Sequence, residues 1–371
     1  MSKQTLLLIS TAYFLLNGAI QSSTIFIPLL GSSLGGTDFQ IGLIGASYGA
    51  AYLLASLYSG EKSDQWGKLY FVRLGLLMCT AAFASQLRAE SLITLAASRA
   101  FVGLSLGVTT AAFVAYAFES GTDMGKFSSY SSLGWIGGAV AATLITDFDM
   151  LFLCSSLFCA VALFMSLFFP KPLLGKNSPV DTKVDLIVVI RRGFKIYISV
   201  FLRHLGATSV FIIFPLYLTS LGVERSWVSA LWGINFVVQF FIMRTLERFD
   251  PRSVFAFGQV ASIAVFIGYG IVHSLTPLIF IQCMLGVAWA CLYVGALLLV
   301  MQTGKERGTA SGIFQATLNL CNAIGPILGG IIAQQWGYRG VMFFAAALGV
   351  GGLLIAVPKS QPNTSMMSKA G

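Results

Sequence analysis

The stretch SGEKSDQWGKLYFVRLG, residues 59–75, puts five charged side chains (Glu61, Lys62, Asp64, Lys68 and Arg73) into thirteen positions between two almost wholly apolar runs. About 20 apolar residues are enough to cross roughly 30 Å of hydrocarbon, so these charges read as a short polar loop between two membrane spans. Working outward from it, the same pattern gives twelve runs, at 5–30, 39–59, 69–87, 92–118, 128–146, 150–169, 195–220, 226–246, 253–273, 277–303, 309–333 and 340–357. Composition agrees. Of 371 residues, 56% are hydrophobic and 10% charged, and the mean hydropathy of +0.82 lies far outside the range of soluble globular domains.

In lipid every backbone polar group must be satisfied within its own segment or in a closed barrel, and continuous apolar runs without dyad alternation predict helices. The expectation is an all-α, polytopic membrane protein in a plasma or inner membrane. The first run is too long for a signal-peptide core and is expected to remain as the first span. The formal net charge of +9 is a matter of topology: 18 of 23 Lys and Arg fall on the amino-terminal side of twelve alternating spans. Only Arg88, Arg225 and Arg339 fall on the other side, with Arg99 and Arg203 inside spans, so the positive-inside rule places both termini in the cytoplasm. Basic residues in short loops rather than on one face give no sign of a nucleic-acid partner. All six cysteines lie in apolar runs without CxxC spacing, and read as small core residues rather than metal ligands or disulfides.

A long polar interval, 170–194, divides the spans six and six, giving bundles at 1–169 and 195–358, a cytoplasmic linker between them and a tail at 359–371. The halves look duplicated. Span one ends PLLGSSLG (Pro28 to Gly35) and span seven PLYLTSLG (Pro215 to Gly222), at an offset of 187. At an offset of 183, Arg99 and Gly103 meet Gln282 and Gly286, and Asp64 meets Glu247. Six-helix repeats of this kind are a standard transporter build, with the solute site between halves near the bilayer midplane.

With Gly60, Asp64, Gly67 and Lys68 in the loop after span two, and Arg99, Gly103 and Gly107 spaced by four in span four, the chain resembles the major facilitator superfamily over essentially its whole length. Gln65 and Leu69 stand where that loop pattern has basic residues, and Glu247, Arg248 and Arg252 form a degenerate second copy. The Gly-Pro pattern associated with antiporters is missing from span five, which reads GWIGGAV. The resemblance implies a twelve-helix fold, an inward-facing Arg99, and a cavity lined by spans one, four, seven and ten. It also implies a gate in which Asp64 meets the start of span eleven near Gly308 and Thr309, with Lys126 a second candidate partner.

Asn17, Gln21, Thr24 and Pro28 form one helical stripe in span one, and the offset of 187 carries it to His204, Thr208, Phe211 and Pro215 in span seven. Polar stripes in membrane helices face protein or water rather than lipid. Arg203 and His204 are therefore candidate solute contacts, His204 being either a proton carrier or a hydrogen-bonding group. Tyr48, Tyr52, Trp232, Asn235, Gln239, Gln282, Trp289, Tyr293, Gln315, Asn319 and Asn322 join them, some as interhelical glue. All fourteen Asp and Glu, including Asp38, Glu119 and Asp147, fall in loops or at span ends. A cavity with cations and no acid favours an anionic, zwitterionic or neutral solute over a lipophilic cation.

Two G-x-S-x-G matches, at Gly31 and Gly103, lack the strand–turn–helix setting of a nucleophile elbow; the second reads as small-residue packing. There is no nucleotide-binding loop and no filter-like repeat, so no enzyme, pump or channel is expected and no cofactor is implied. The expected function is gradient-driven movement of a small organic solute by alternating access, with H+ as a candidate coupling ion and a monomer sufficient to form the pathway. Proton-coupled multidrug efflux and a transport-dead sensor of the same fold are the alternatives.

Overall fold

The computed structural model describes residues 3–120, 122, 124–170, 186–304 and 307–356. The first crossing is broken at Ile25 and Phe26 into α1 (Lys3–Thr24) and α2 (Ile27–Ser33). Pro28 sits in the first turn of α2, where no intrahelical N–H is needed. Then come α3 (Asp38–Trp66), α4 (Lys68–Ser85), α5 (Leu92–Glu119), α6 (Met124–Leu144) and α7 (Phe148–Ser166). The second half holds α8 (Leu186–Ser220), α9 (Arg225–Met243), α10 (Pro251–Ile271), α11 (Leu275–Met301) and α12 (Arg307–Ala356). Gly337, at φ 71°, breaks α12 into two crossings, a conformation that costs a glycine little. Among the described residues this makes twelve helical crossings, and the all-α expectation holds.

Local chemistry sets the joints. Thr37 and Gln40 form a capping box at α3, and Ser91 and Thr94 one at α5. Asp147 accepts from the Met150 N–H at the start of α7. Gly67, with φ 98°, both ends α3 and begins α4; the charged stretch is a tight glycine joint rather than an extended loop. The 35 residues of α8 span about 52 Å at 1.5 Å each, so it begins at Leu186, well before the apolar run at 195.

The duplication is visible in the packing. A Cβ on Gly75 would lie 2.9 Å from Thr109 Cα, and one on Gly258 2.8 Å from Leu292 Cα; both members of the pair are shifted by 183. Gly103 lies against the Tyr48 carbonyl and Gly286 against that of Asn235; Gly138 meets the carbonyl of Gly18 and Gly325 that of Leu205. Gly103 and Gly107 thus seat α5 on α3, as small-residue packing rather than as part of a nucleophile site.

The larger cores within single halves join Leu16, Cys79, Phe83, Leu106 and Phe113 of the first, and Tyr197, Phe255, Leu292 and Phe314 of the second. A third is shared, packing Ile25, Phe26, Ala139, Ala142 and Leu151 against Val210, Phe214, Leu231 and Val341. All five first-half members lie toward the face opposite the one holding Lys3 and Ala356. The halves are therefore joined at this far face.

Candidate functional site

Across the halves, α3 packs on α12 and α6 on α9. Gly42 and Gly45 of α3 lie against Pro326, and Gly49 against the Asn322 carbonyl. The Phe39 N–H donates to Gln334 Oε1 at 3.2 Å and the Tyr338 hydroxyl to Asp38 Oδ1 at 3.3 Å. On the opposite seam Thr143 Oγ1 donates to Ser229 Oγ at 3.0 Å, and Trp135 packs on Phe236 with ring centroids 5.6 Å apart. The Arg225 guanidinium is held between two rings of the other half, 3.7 Å from Phe148 and 4.4 Å from Phe26. Most of these contacts sit toward the far face, with Gly49–Asn322 and Trp135–Phe236 near mid-span. The spacing of Gly42, Gly45 and Gly49 carried a packing signal that the sequence reading passed over; nothing in the sequence marks Arg225 as a bridge.

Deeper between the halves, Gln21, Thr24, Tyr48 and Tyr52 on one side and Phe211, Trp232, Trp289 and Tyr293 on the other are part-exposed, and Gln315 is exposed. Their partial exposure is what a cleft beneath the seam requires. Asn17 is buried on its edge: Nδ2 donates to the Tyr13 carbonyl at 2.8 Å and Oδ1 accepts from Ser131 Oγ at 2.9 Å, tying α1 to α6. Gln21 stands one turn beyond, its Cβ against Gly138.

Arg99 is 2% exposed. Its Nη1 reaches Gln86 Oε1 and its Nη2 Thr24 Oγ1, each at the long distance of 3.4 Å, and its guanidinium lies 4.6 Å from the centroid of Tyr48. Gln86 in turn donates to Ser23 Oγ at 3.1 Å. A span-three glutamine therefore orients the cation toward α1 and α3, and Nε has no hydrogen-bond partner among the described residues.

In the second half, Arg203 is fully buried, its Nε donating to Ser262 Oγ at 2.9 Å and its plane set between Trp289 at 5.2 Å and Phe266 at 5.5 Å. Neither Nη atom has a hydrogen-bond partner among the described residues. It points back toward α10, so Trp289 stands beside it rather than solvent. His204 stacks on Trp289 with centroids 5.0 Å apart and planes at 26°, and Tyr293 follows at 5.6 Å. Asn235 is 1% exposed; Nδ2 donates to the Gln282 carbonyl at 3.3 Å and Oδ1 accepts from Gln239, which places it in the α9–α11 contact. The Gln282 amide is buried without a partner among the described residues. Asn319, 8% exposed, accepts from Gln315 at 3.4 Å.

Of the gating set, the side chains of Asp64 and Glu247 lie outside the described residues, as does that of Lys126. Gly60 falls within α3 and Gly67 makes the joint described above. Lys68 pairs with Glu119 at the end of α5, inside its own half, and Arg248 is exposed on the short turn after α9. Arg73, the last cation of the opening stretch, donates to the Ser166 carbonyl at 3.1 and 3.2 Å and to Leu167 at 3.3 Å, closing the C-terminus of α7 where basic groups are favoured.

Comparison with known proteins places this architecture. Multidrug resistance protein Stp of Mycobacterium tuberculosis is 26% identical over 181 residues, 45% of this chain and 32% of that protein. Multidrug resistance protein MdtG of Proteus mirabilis is 24% identical over 163 residues, 41% of this chain and 40% of that protein. The chain thus aligns with well under half the length of either. A crystal structure of a mutant of the nucleoside transporter NupG superposes with a TM-score of 0.82 at 16% identity, covering 95% of this chain and 98% of that one, a likeness of fold. The family model for the Major Facilitator Superfamily matches residues 9–234 and 196–367. With twelve crossings in two repeated halves joined at one face, the chain belongs to the Major Facilitator Superfamily.

Proposed function

We propose that this protein moves a small organic solute across a plasma or inner membrane by alternating access, driven by a gradient. One observation carries the reading: the described cross-half contacts lie between one face and mid-span, with part-exposed polar and aromatic residues of both halves beneath them, which we read as lining a cleft. A transporter needs two such arrangements of rigid halves around one site. The Lys and Arg bias supports cytoplasmic termini, which makes the far face external and this arrangement inward-open. The division into bundles at 1–169 and 195–358 with a cytoplasmic linker belongs to the same proposal, as does a monomeric pathway.

The test is solute movement in proteoliposomes, comparing aromatic anions with cationic dyes, each with and without a pH gradient. Movement of one class, abolished when Asp38→Cys and Tyr338→Cys are cross-linked across the seam, is the expected result. No movement of any solute in either direction would refute the reading. A second reading, multidrug export coupled to H+, draws on the names of the curated relatives. Gradient-driven dye movement would favour it, with His204 or Asp38 carrying the proton.

A further inference from the structure

The two halves differ at one buried spot where the repeat predicts likeness. At the offset of 187, Arg203 corresponds to Leu16; at 183, Ser262, Phe266 and Trp289 correspond to Cys79, Phe83 and Leu106. Leu16, Cys79, Phe83 and Leu106 are all fully buried in one apolar cluster. The same framework therefore packs this spot without a charge. In the second half it holds a fully buried guanidinium whose two Nη atoms have no partner among the described residues. Burying an unpaired cation is expensive, and an apolar replacement of similar size is commonly neutral or stabilising. Stability does not account for Arg203.

Its surroundings limit what it does. Among the described residues no Asp or Glu is buried, while Arg99 is buried on the other side of the cleft with its Nε unpartnered. The guanidinium is one aromatic layer behind the cleft wall, 5.2 Å from Trp289, against which His204 stacks at 5.0 Å. A charge with no counter-ion in a low-dielectric wall acts at a distance. At about 8–10 Å and an effective dielectric of about 20, it favours an anion over its neutral analogue by roughly 15- to 30-fold and disfavours a cation equally. His204 backs Trp289, and the part-exposed rings of Trp289 and Tyr293, tilted by 41° with centroids 5.6 Å apart, offer apolar faces and edges that suit an aromatic ring.

We propose that the solute is a small aromatic organic anion, and that Arg203 is the residue that selects for its charge without touching it. This rests on the transporter reading above. The test uses 2-naphthoate, 2-naphthamide and 2-naphthylmethylamine as size-matched probes of the purified full chain, read by quenching of intrinsic tryptophan fluorescence, with each then offered to proteoliposomes. Naphthoate binds tightest in the parent. Arg203→Leu, which copies the first half, lowers the naphthoate-to-naphthamide affinity ratio about 15- to 30-fold while leaving naphthamide affinity unchanged and the melting temperature unchanged or raised. Arg203→Lys retains most of the preference, which separates charge from packing should the leucine variant fold poorly.

An unchanged ratio in Arg203→Leu, tightest binding of the amine, or no binding by any of the three overturns the proposal. Movement of amines or neutral solutes would sink the anion class alone and leave transport standing. Failure of a wider panel to move would sink transport itself.

Discussion

Gly42→Ala tests the far-face seam with the smallest perturbation available. A Cβ at this position would lie 3.1 Å from Gly330 Cα and 3.2 Å from the Pro326 carbonyl carbon, and closer still to the carbonyl oxygen. Backbone cannot rotate out of the way as a side chain can, so α3 and α12 must separate. Overpacking of this sort costs about 1–3 kcal/mol, charged against the arrangement in which the seam is closed. That shifts the balance between the two faces by roughly 5- to 150-fold, at about 1.4 kcal/mol per tenfold. The assay is the labelling rate of a cysteine placed at Thr143, which donates to Ser229 within the opposite seam. It uses a membrane-impermeant maleimide from the far face in a background without the native cysteines. Gly233→Ala is the control, because its added Cβ meets only Ala139 Cβ at an ordinary 3.6 Å. Labelling should accelerate in Gly42→Ala and not in Gly233→Ala. Equal rates in folded protein would refute the claim that this seam holds the closed face.

Other perturbations separate the remaining contacts. Arg225→Ala removes two cation–π contacts across the halves, each worth about 0.5–2 kcal/mol. Spin labels spanning the far face should report a larger population of separated distances, and an unchanged distribution would show that Arg225 bridges nothing of consequence. Asp64→Asn should lower transport severely at normal membrane levels, as the family resemblance implies; normal transport would end the gate reading. Asp250, the cap of α10, is held below the usual carboxylate range by the Ser253 N–H and hydroxyl. Because its pKa is depressed by folding, its contribution is present above about pH 4 and lost as pH falls through the lower folded value. Asp250→Asn should flatten the decline in melting temperature below pH 4, and an unchanged slope would assign that decline to other carboxylates.

The crossings, the helical class and the duplication were legible in the sequence because each depends on local composition. A span is an apolar run of sufficient length, and the offsets of 187 and 183 survive because corresponding close approaches, such as Gly103 on Tyr48 and Gly286 on Asn235, admit only small residues. The polar stripe beginning at Asn17 and His204 was readable from helical period alone. Period does not say what meets a stripe. Lys68 pairs with Glu119 within its half, Asn235 is used between α9 and α11, and Arg203 turns to Ser262 of α10. Each partner lies on another helix, 47 to 59 residues away, and which helix stands beside which is decided by packing.

The seam is the extreme case. Asp38 meets Tyr338 across 300 residues of chain, and Arg225 finds Phe26 and Phe148, through the relative placement of two halves whose sequences specify their own folds. The sequence by itself determined that this is a twelve-span, duplicated chain with cations and no acids in its spans. Only the tertiary structure decided that the halves meet at one face and that a buried arginine faces no counter-charge among the described residues, because both follow from contacts between segments that no local pattern connects.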